Sequence, residues 1–141
     1  MVFEQLFDTK SSTYTYIISS GKGREALIID PVIEHTDEYI EVLKNLELKL
    51  VKVIDTHIHA DHITGLNELN KRTNCIRIMG EKSKSEVVDV RLKDNEKIKV
   101  ESIEFETIYT PGHTDCSYSY LMNDRVFTGD TLLINGTGRT D

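Results

Sequence analysis

Four residues able to bind a metal ion stand within six positions: His57, His59, Asp61 and His62, in the run Thr56-His-Ile-His-Ala-Asp-His62. The whole chain holds five histidines, so three in one short run is a concentration that chance does not readily give. Imidazole nitrogen and carboxylate oxygen are the donors that zinc and non-haem iron accept. On an extended segment His57, His59 and Asp61 point to one side, because side chains alternate with period two, and a turn can bring His62 round. Two later residues suit the same chemistry. His113 follows a Pro-Gly turn in Thr110-Pro-Gly-His-Thr114, and Asp130 lies beside a glycine in Phe127-Thr-Gly-Asp-Thr131. A lone histidine reads as a structural group, and Asp61 ahead of Ile63 also suits a helix N-cap. The cluster together with both partners favours a metal site. His35, in a polar turn ahead of a helix, reads as a solvated surface residue.

These residues need elements to hold them. Thr13–Ser19 and Glu25–Asp30 are β-rich runs separated by Ser-Gly-Lys-Gly, a hairpin signal, and Pro31 ends the second because it lacks a ladder donor. Thr36 or Asp37 caps a helix expected through about Leu48, with Tyr39, Ile40, Leu43 and Leu46 on its apolar stripe. Leu50–Ile54 reads as a strand running straight into the histidine cluster. Ile63–Lys71 reads as a helix and Ile76–Met79 as a short strand, while Ser83–Asn95 is ambiguous. Ile98–Val100, Ile103–Tyr109, Tyr118–Met122 and Arg125–Thr128 read as closely spaced strands. The order predicts α/β or α+β layers with helices covering one sheet face. Each candidate ligand segment follows a strand, so the three are expected to open on one rim of a sheet, where α/β proteins place ligands.

Composition narrows the partners. The 141 residues predict one domain. The formal net charge of −7, from 17 basic and 24 acidic residues, argues against a protein that tracks nucleic-acid phosphates. No apolar run approaches a membrane span, and the acidic start Met-Val-Phe-Glu-Gln-Leu-Phe-Asp does not resemble a signal peptide. The expected location is cytoplasmic. Cys75 and Cys116 then read as reduced, small core residues, with Cys116 close to His113 in sequence.

At the cluster the chain resembles the metallo-β-lactamase superfamily, whose signature is His-x-His-x-Asp-His. The resemblance implies an αββα sandwich with a metal at one edge. Within that superfamily the chain is similar to the persulfide dioxygenases, the ethylmalonic encephalopathy protein group. Ile29-Asp-Pro-Val-Ile-Glu34, Thr56–Gly65, Thr128-Gly-Asp-Thr-Leu132 and Gly138-Arg-Thr-Asp141 carry the similarity, with Thr137 standing where the group usually has cysteine. The resemblance implies one ferrous iron per chain held by His57, His113 and Asp130. Such a 2-His-1-carboxylate set leaves positions open for substrate and O₂. His59, Asp61 and His62 then surround the ligands, with Asp61 and His62 as catalytic support. Arg139 orders the Asp130 loop or faces an acidic substrate, a loop salt bridge being its plainer role.

The resemblance also implies that residues 1–141 are the N-terminal portion of a domain truncated at its C-terminus. One sheet face is therefore expected to expose apolar residues, and a longer chain or an obligate homo-oligomer to cover it. A dizinc site would want a histidine from the remaining portion, whereas the single-iron set is complete without it. The leading expectation is an iron-dependent sulfur dioxygenase that oxidises glutathione persulfide, or a similar thiol persulfide, with O₂ to sulfite and thiol. The alternatives are a zinc-dependent thioester hydrolase of glyoxalase II type, in which Asp61 and His62 bind a second Zn(II), and a non-catalytic metal-binding or interaction remnant.

Overall fold

Alternation along two strands divides the core. In β2 (Thr13–Ser19) Ile17 faces one way and Ile18 the other, and in β3 (Glu25–Ile29) Ala26 and Ile28 oppose Leu27 and Ile29. All six are essentially inaccessible to solvent, so the sheet carrying them is covered on both sides. These relationships come from a computed structural model that describes residues 1–56, 64–82, 88–111 and 118–122, together with the backbone of short strands at 126–127, 132–133 and 136–137.

The first sheet has the order β1-β2-β3-β4-β5-β6. Here β1 is Val2–Asp8, β4 Lys49–Ile54, β5 Ile76–Gly80 and β6 Val90–Leu92. Strands β1 to β3 form an antiparallel meander, and β3 to β6 run parallel. The parallel links demand crossovers, and two of them contain helices: α1 (Thr36–Asn45) between β3 and β4, and α2 (Leu66–Thr73) between β4 and β5. Tyr39 and Leu43 of α1 and Leu66 and Leu69 of α2 pack on the Ile17/Ile28 face. Against the opposite face lies a second, antiparallel sheet ordered β10-β9-β8-β7, with β7 Lys97–Val100, β8 Ile103–Tyr109, β9 Tyr118–Leu121 and β10 Val126–Phe127. A small hairpin of β11 (Leu132–Leu133) and β12 (Gly136–Thr137) follows. The layers are helix, sheet, sheet, in the expected α/β order.

Several boundaries differ from expectation for physical reasons. A 3-10 turn, Ile33–His35, leads directly into α1, so Thr36 is the first helical residue and not a side-chain cap; its hydroxyl donates to the Ile33 carbonyl at 2.7 Å. Helix α1 stops at Asn45, three residues early, where Glu47 takes a left-handed φ of +57°. In β4 the register skips Val51 between the pairs Ala26↔Leu50 and Leu27↔Lys52. That bulge puts Leu50 and Val53 on the same helix-side face despite their odd spacing. Strand β1 was absent from the expected elements: its polar Glu4 and Gln5 break the apolar run of an edge strand. The ambiguous Ser83–Asn95 stretch contributes β6.

The outer face of β7 and β8 is mostly charged, with Ile108 of β8 and Leu121 of the neighbouring β9 half-buried on it. That face presents Lys97, Lys99, Glu104 and Glu106, with the Glu104 carboxylate 3.1 Å from Lys97 Nζ and 3.6 Å from Lys99 Nζ. Large exposed apolar residues among the described ones are Met1, Phe7, Tyr14, Ile76 and Val90. Of these Phe7 and Tyr14 pair across β1 and β2, with ring centroids 4.7 Å apart. Cys75 is a free, buried thiol, as expected, and burial pushes its pKa up. No helix among the described residues is long and apolar enough to cross a membrane.

Candidate metal centre

All seven candidate site residues, His57, His59, Asp61, His62, His113, Asp130 and Arg139, lie outside the described residues, as does Cys116. Among the described residues no cluster of His, Cys, Asp or Glu could hold a metal ion. What the structure does define is how the chain is held where it enters and leaves the candidate segments.

The frame is a strap, Asp30-Pro31-Val32, at the C-terminal end of β3. Asp30 has a left-handed φ of +56°, a conformation that costs a non-glycine residue roughly 1 kcal/mol and that Asp and Asn tolerate best. Its N–H donates to the Ile54 carbonyl at 2.7 Å, and its own carbonyl accepts from Thr15 Oγ1 at 2.7 Å. That backbone turn aims the carboxylate at Thr56. Asp30 Oδ1 accepts the Thr56 N–H at 2.7 Å, and Oδ2 accepts the Thr56 hydroxyl at 2.9 Å. Asp30 and Thr56 are both buried, so these bonds act in a low-dielectric setting. The next residue along the chain is His57.

The strap also holds the far end of the cluster. Val32 bridges Thr64, and the Pro31 carbonyl accepts the Gly65 N–H at 2.9 Å. The fit at Gly65 is close: a Cβ would sit 3.1 Å from the Pro31 side chain, tighter than most such contacts. Tyr39 of α1 steadies the strap, its hydroxyl accepting the Val32 N–H at 3.0 Å and lying 3.1 Å from Thr15 Oγ1. Burial raises the Tyr39 pKa, so the phenol stays neutral. Three residues of one strap therefore fix both ends of segment 57–63.

The second candidate segment adjoins the same point. Tyr118, the first residue of β9, donates its N–H to the Thr56 carbonyl at 2.8 Å. Tyr109 at the end of β8 pairs with Tyr118, and Thr110 Oγ1 meets Ser119 Oγ at 2.8 Å, closing the base of the segment that contains His113. In β10 the pairs Val126↔Leu121 and Phe127↔Tyr120 point the chain toward the Tyr118 end of β9 as it approaches Asp130. The described residues flanking the first two candidate segments thus meet at one rim, where the ends of β4, β8 and β9 come together, and β10 runs antiparallel to β9 toward it.

Two features of this frame were not singled out from sequence. Asp30 and Thr56 stood in stretches that carry the family resemblance, Asp30 also as a strand end before proline, but neither was given a role at the site. An acid closing a buried apolar strand, as in Glu25–Asp30, was the available signal. His35 differs from its expected role as a solvated residue. Its ring nitrogens meet Asp8 Oδ1 at 2.8 Å and Glu38 Oε1 at 3.0 Å, tying the turn before α1 to the end of β1.

Comparison with known proteins agrees with this architecture. Residues 8–141 match the metallo-beta-lactamase superfamily model, and the chain belongs to that superfamily. It is 38% identical over 144 residues to the mouse protein named persulfide dioxygenase ETHE1, mitochondrial, an alignment covering all of this chain and 56% of the relative. The crystal structure of ETHE1 from Myxococcus xanthus superposes with a TM-score of 0.95 at 45% identity, covering all of this chain and 62% of that one. A hydroxyacylglutathione hydrolase from Dictyostelium discoideum is 32% identical over 136 residues, covering 89% of this chain and 50% of that protein. The chain therefore spans little more than half the length of these relatives.

Proposed function

We propose that this chain carries the iron site of a persulfide dioxygenase, with His57, His113 and Asp130 as the ligands of one Fe(II). The observation that supports it best is the meeting of the strand ends that flank the His57 and His113 segments, held by the Thr56–Tyr118 and Thr56–Asp30 hydrogen bonds, with β10 directed toward the same end of β9. Two imidazoles and one carboxylate suit a ferrous ion and equally suit zinc. The sequence context favours iron, because the similarity to proteins named persulfide dioxygenase covers the whole chain at higher identity than that to the hydrolases. The metal would supply adjacent binding positions for an anionic persulfide sulfur and for O₂.

The chain's own residues do the remaining work. Asp30 fixes the backbone at Thr56 and so sets where His57 begins. Tyr118 ties the residue that follows the second ligand segment to the residue that precedes the first. Asp61 and His62 orient the ligands or the substrate, and Arg139 meets an acidic substrate or steadies the Asp130 segment. The proposed substrate is glutathione persulfide or a similar low-molecular-weight thiol persulfide, the products sulfite and free thiol, and the proposed location the cytoplasm. A homo-oligomer is the proposed assembly.

The similarity to hydroxyacylglutathione hydrolases supports a second reading, zinc-dependent thioester hydrolysis with Asp61 and His62 on a second metal. Oxygen uptake with glutathione persulfide, measured beside cleavage of S-lactoylglutathione on the same preparation, separates the two. O₂ uptake without thioester cleavage is expected, and the reverse would overturn the proposal.

A further inference from the structure

The rim holds a positioned cation that the metal chemistry does not use. Strand β5 ends at Gly80, where a Cβ would lie 1.9 Å from Tyr118 Cε1, so the Tyr118 ring lies directly on the backbone there. The Tyr118 hydroxyl then accepts the Lys82 N–H at 3.1 Å. Those two contacts fix the chain at residues 80–82 against the first residue of β9, the one whose N–H is bonded to Thr56. Tyr109, the last residue of β8, packs on Tyr118 with centroids 5.1 Å apart, and the Lys82 ammonium lies 6.0 Å from the Tyr109 ring centroid. Among the described residues Lys82 makes no ion pair. Of the acids on this side, Glu81 adjoins Lys82 in the chain and Asp94 accepts the Tyr109 N–H at 2.8 Å. Lys97 and Lys99, by contrast, share Glu104 on the outer face.

From this arrangement we infer that Lys82, seated over Tyr109, is the specificity-determining contact for a carboxylate of the thiol substrate. The inference rests on the reading of the rim as the substrate site. A chain of net charge −7 repels an anionic peptide at long range, so one unpaired cation at the mouth of the site has a disproportionate effect on where such a molecule docks. The ring beneath it holds the ammonium by cation–π attraction without neutralising it, leaving its donors free for a carboxylate. Tyr109 stands four residues before His113 in the sequence, and the inference assigns the carboxylate end of the molecule to Lys82 and its thiol end to the metal.

The test is binding by the free thiol, which needs no O₂ chemistry. The full chain is titrated with glutathione and with glutathione diethyl ester by calorimetry at low salt, for wild type, Lys82→Gln, Lys82→Arg and Tyr109→Leu. Wild type should favour glutathione over the diester by about fivefold, the upper range for an exposed charge pair. Lys82→Gln should abolish that preference, Lys82→Arg should keep it, and Tyr109→Leu should reduce it. Unchanged unfolding midpoints would show that the variants remain folded. A Lys82→Gln variant that still prefers glutathione, or a wild type with no preference, overturns the inference. A chain that cleaves thioesters and consumes no O₂ would overturn the proposed reaction while the charge preference could still be read.

Discussion

Asp30 shows how much of the site's frame depends on one side chain outside the candidate ligand set. Its carboxylate accepts both polar hydrogens of Thr56, and no neutral side chain of that size offers two equivalent acceptors. Asp30→Asn keeps the shape and tolerates the positive φ, yet one amide group must face a donor. It should destabilise the fold by about 1–3 kcal/mol and weaken metal binding by about tenfold, read by thermal unfolding and metal titration. Full metal affinity with lowered stability would confine Asp30 to a structural role. His35 and Asp8 give a pH signature. The Ser11 hydroxyl and then His35 hold Asp8 well below the usual carboxylate range, and Asp8 followed by Glu38 raises His35 above its ordinary 6.5. The Asp8 contribution to stability is present above its unfolded value of 3.8 and is lost as pH falls through its depressed folded value. The His35 contribution is fully present below 6.5 and is lost as pH rises through its raised folded value. The unfolding midpoint should therefore decline above about pH 6.5 in wild type, and His35→Gln should flatten that limb; identical slopes would contradict the assignment. His and Asp declare their chemistry by type, which is why the sequence nominates the candidate ligands, all of them outside the described residues. Asp30 was not nominated, because its role exists only once β3 and β4 lie side by side.

At the level of elements, strand ends position the site. The parallel pair β3–β4 brings Asp30 beside Thr56, and the β8–β9 pair brings Tyr109 beside Tyr118. Gly80 lets β5 approach that junction closely. Gly80→Ala would place a methyl inside the Tyr118 ring, so it should destabilise the fold by about 1–3 kcal/mol. It should also displace Lys82, whose N–H bonds to the same tyrosine, so unfolding and glutathione binding should both change; an unaltered protein would show that the ring is not fixed there. Strands with clean alternation, Thr13–Ser19 and Ile103–Tyr109, were readable to the residue. Two features were hidden. The β4 bulge shifts register without any signal in residue type, and β1 alternates too weakly at a sheet edge to announce itself.

The described residues form three layers around two cores that share the first sheet. Phe105, fully buried between the sheets, holds the second sheet, and with it Tyr109 and Tyr118, in place. Phe105→Ala should cost about 3–5 kcal/mol and lower metal occupancy along with the unfolding midpoint. The pattern of strands and helices gave helices covering one sheet face, and the second sheet layer followed only from the family resemblance; the charged outer face of β7 and β8 was not legible, since it depends on which way Lys97, Lys99 and Glu104 point. The central claim is that strand ends from both sheets deliver three ligands to one iron. Iron per chain, determined after anaerobic purification of wild type and of His113→Ala, tests it most directly. About one iron in wild type and nearly none in the variant is the predicted result. Full iron content in His113→Ala, or zinc in place of iron in wild type, would contradict it.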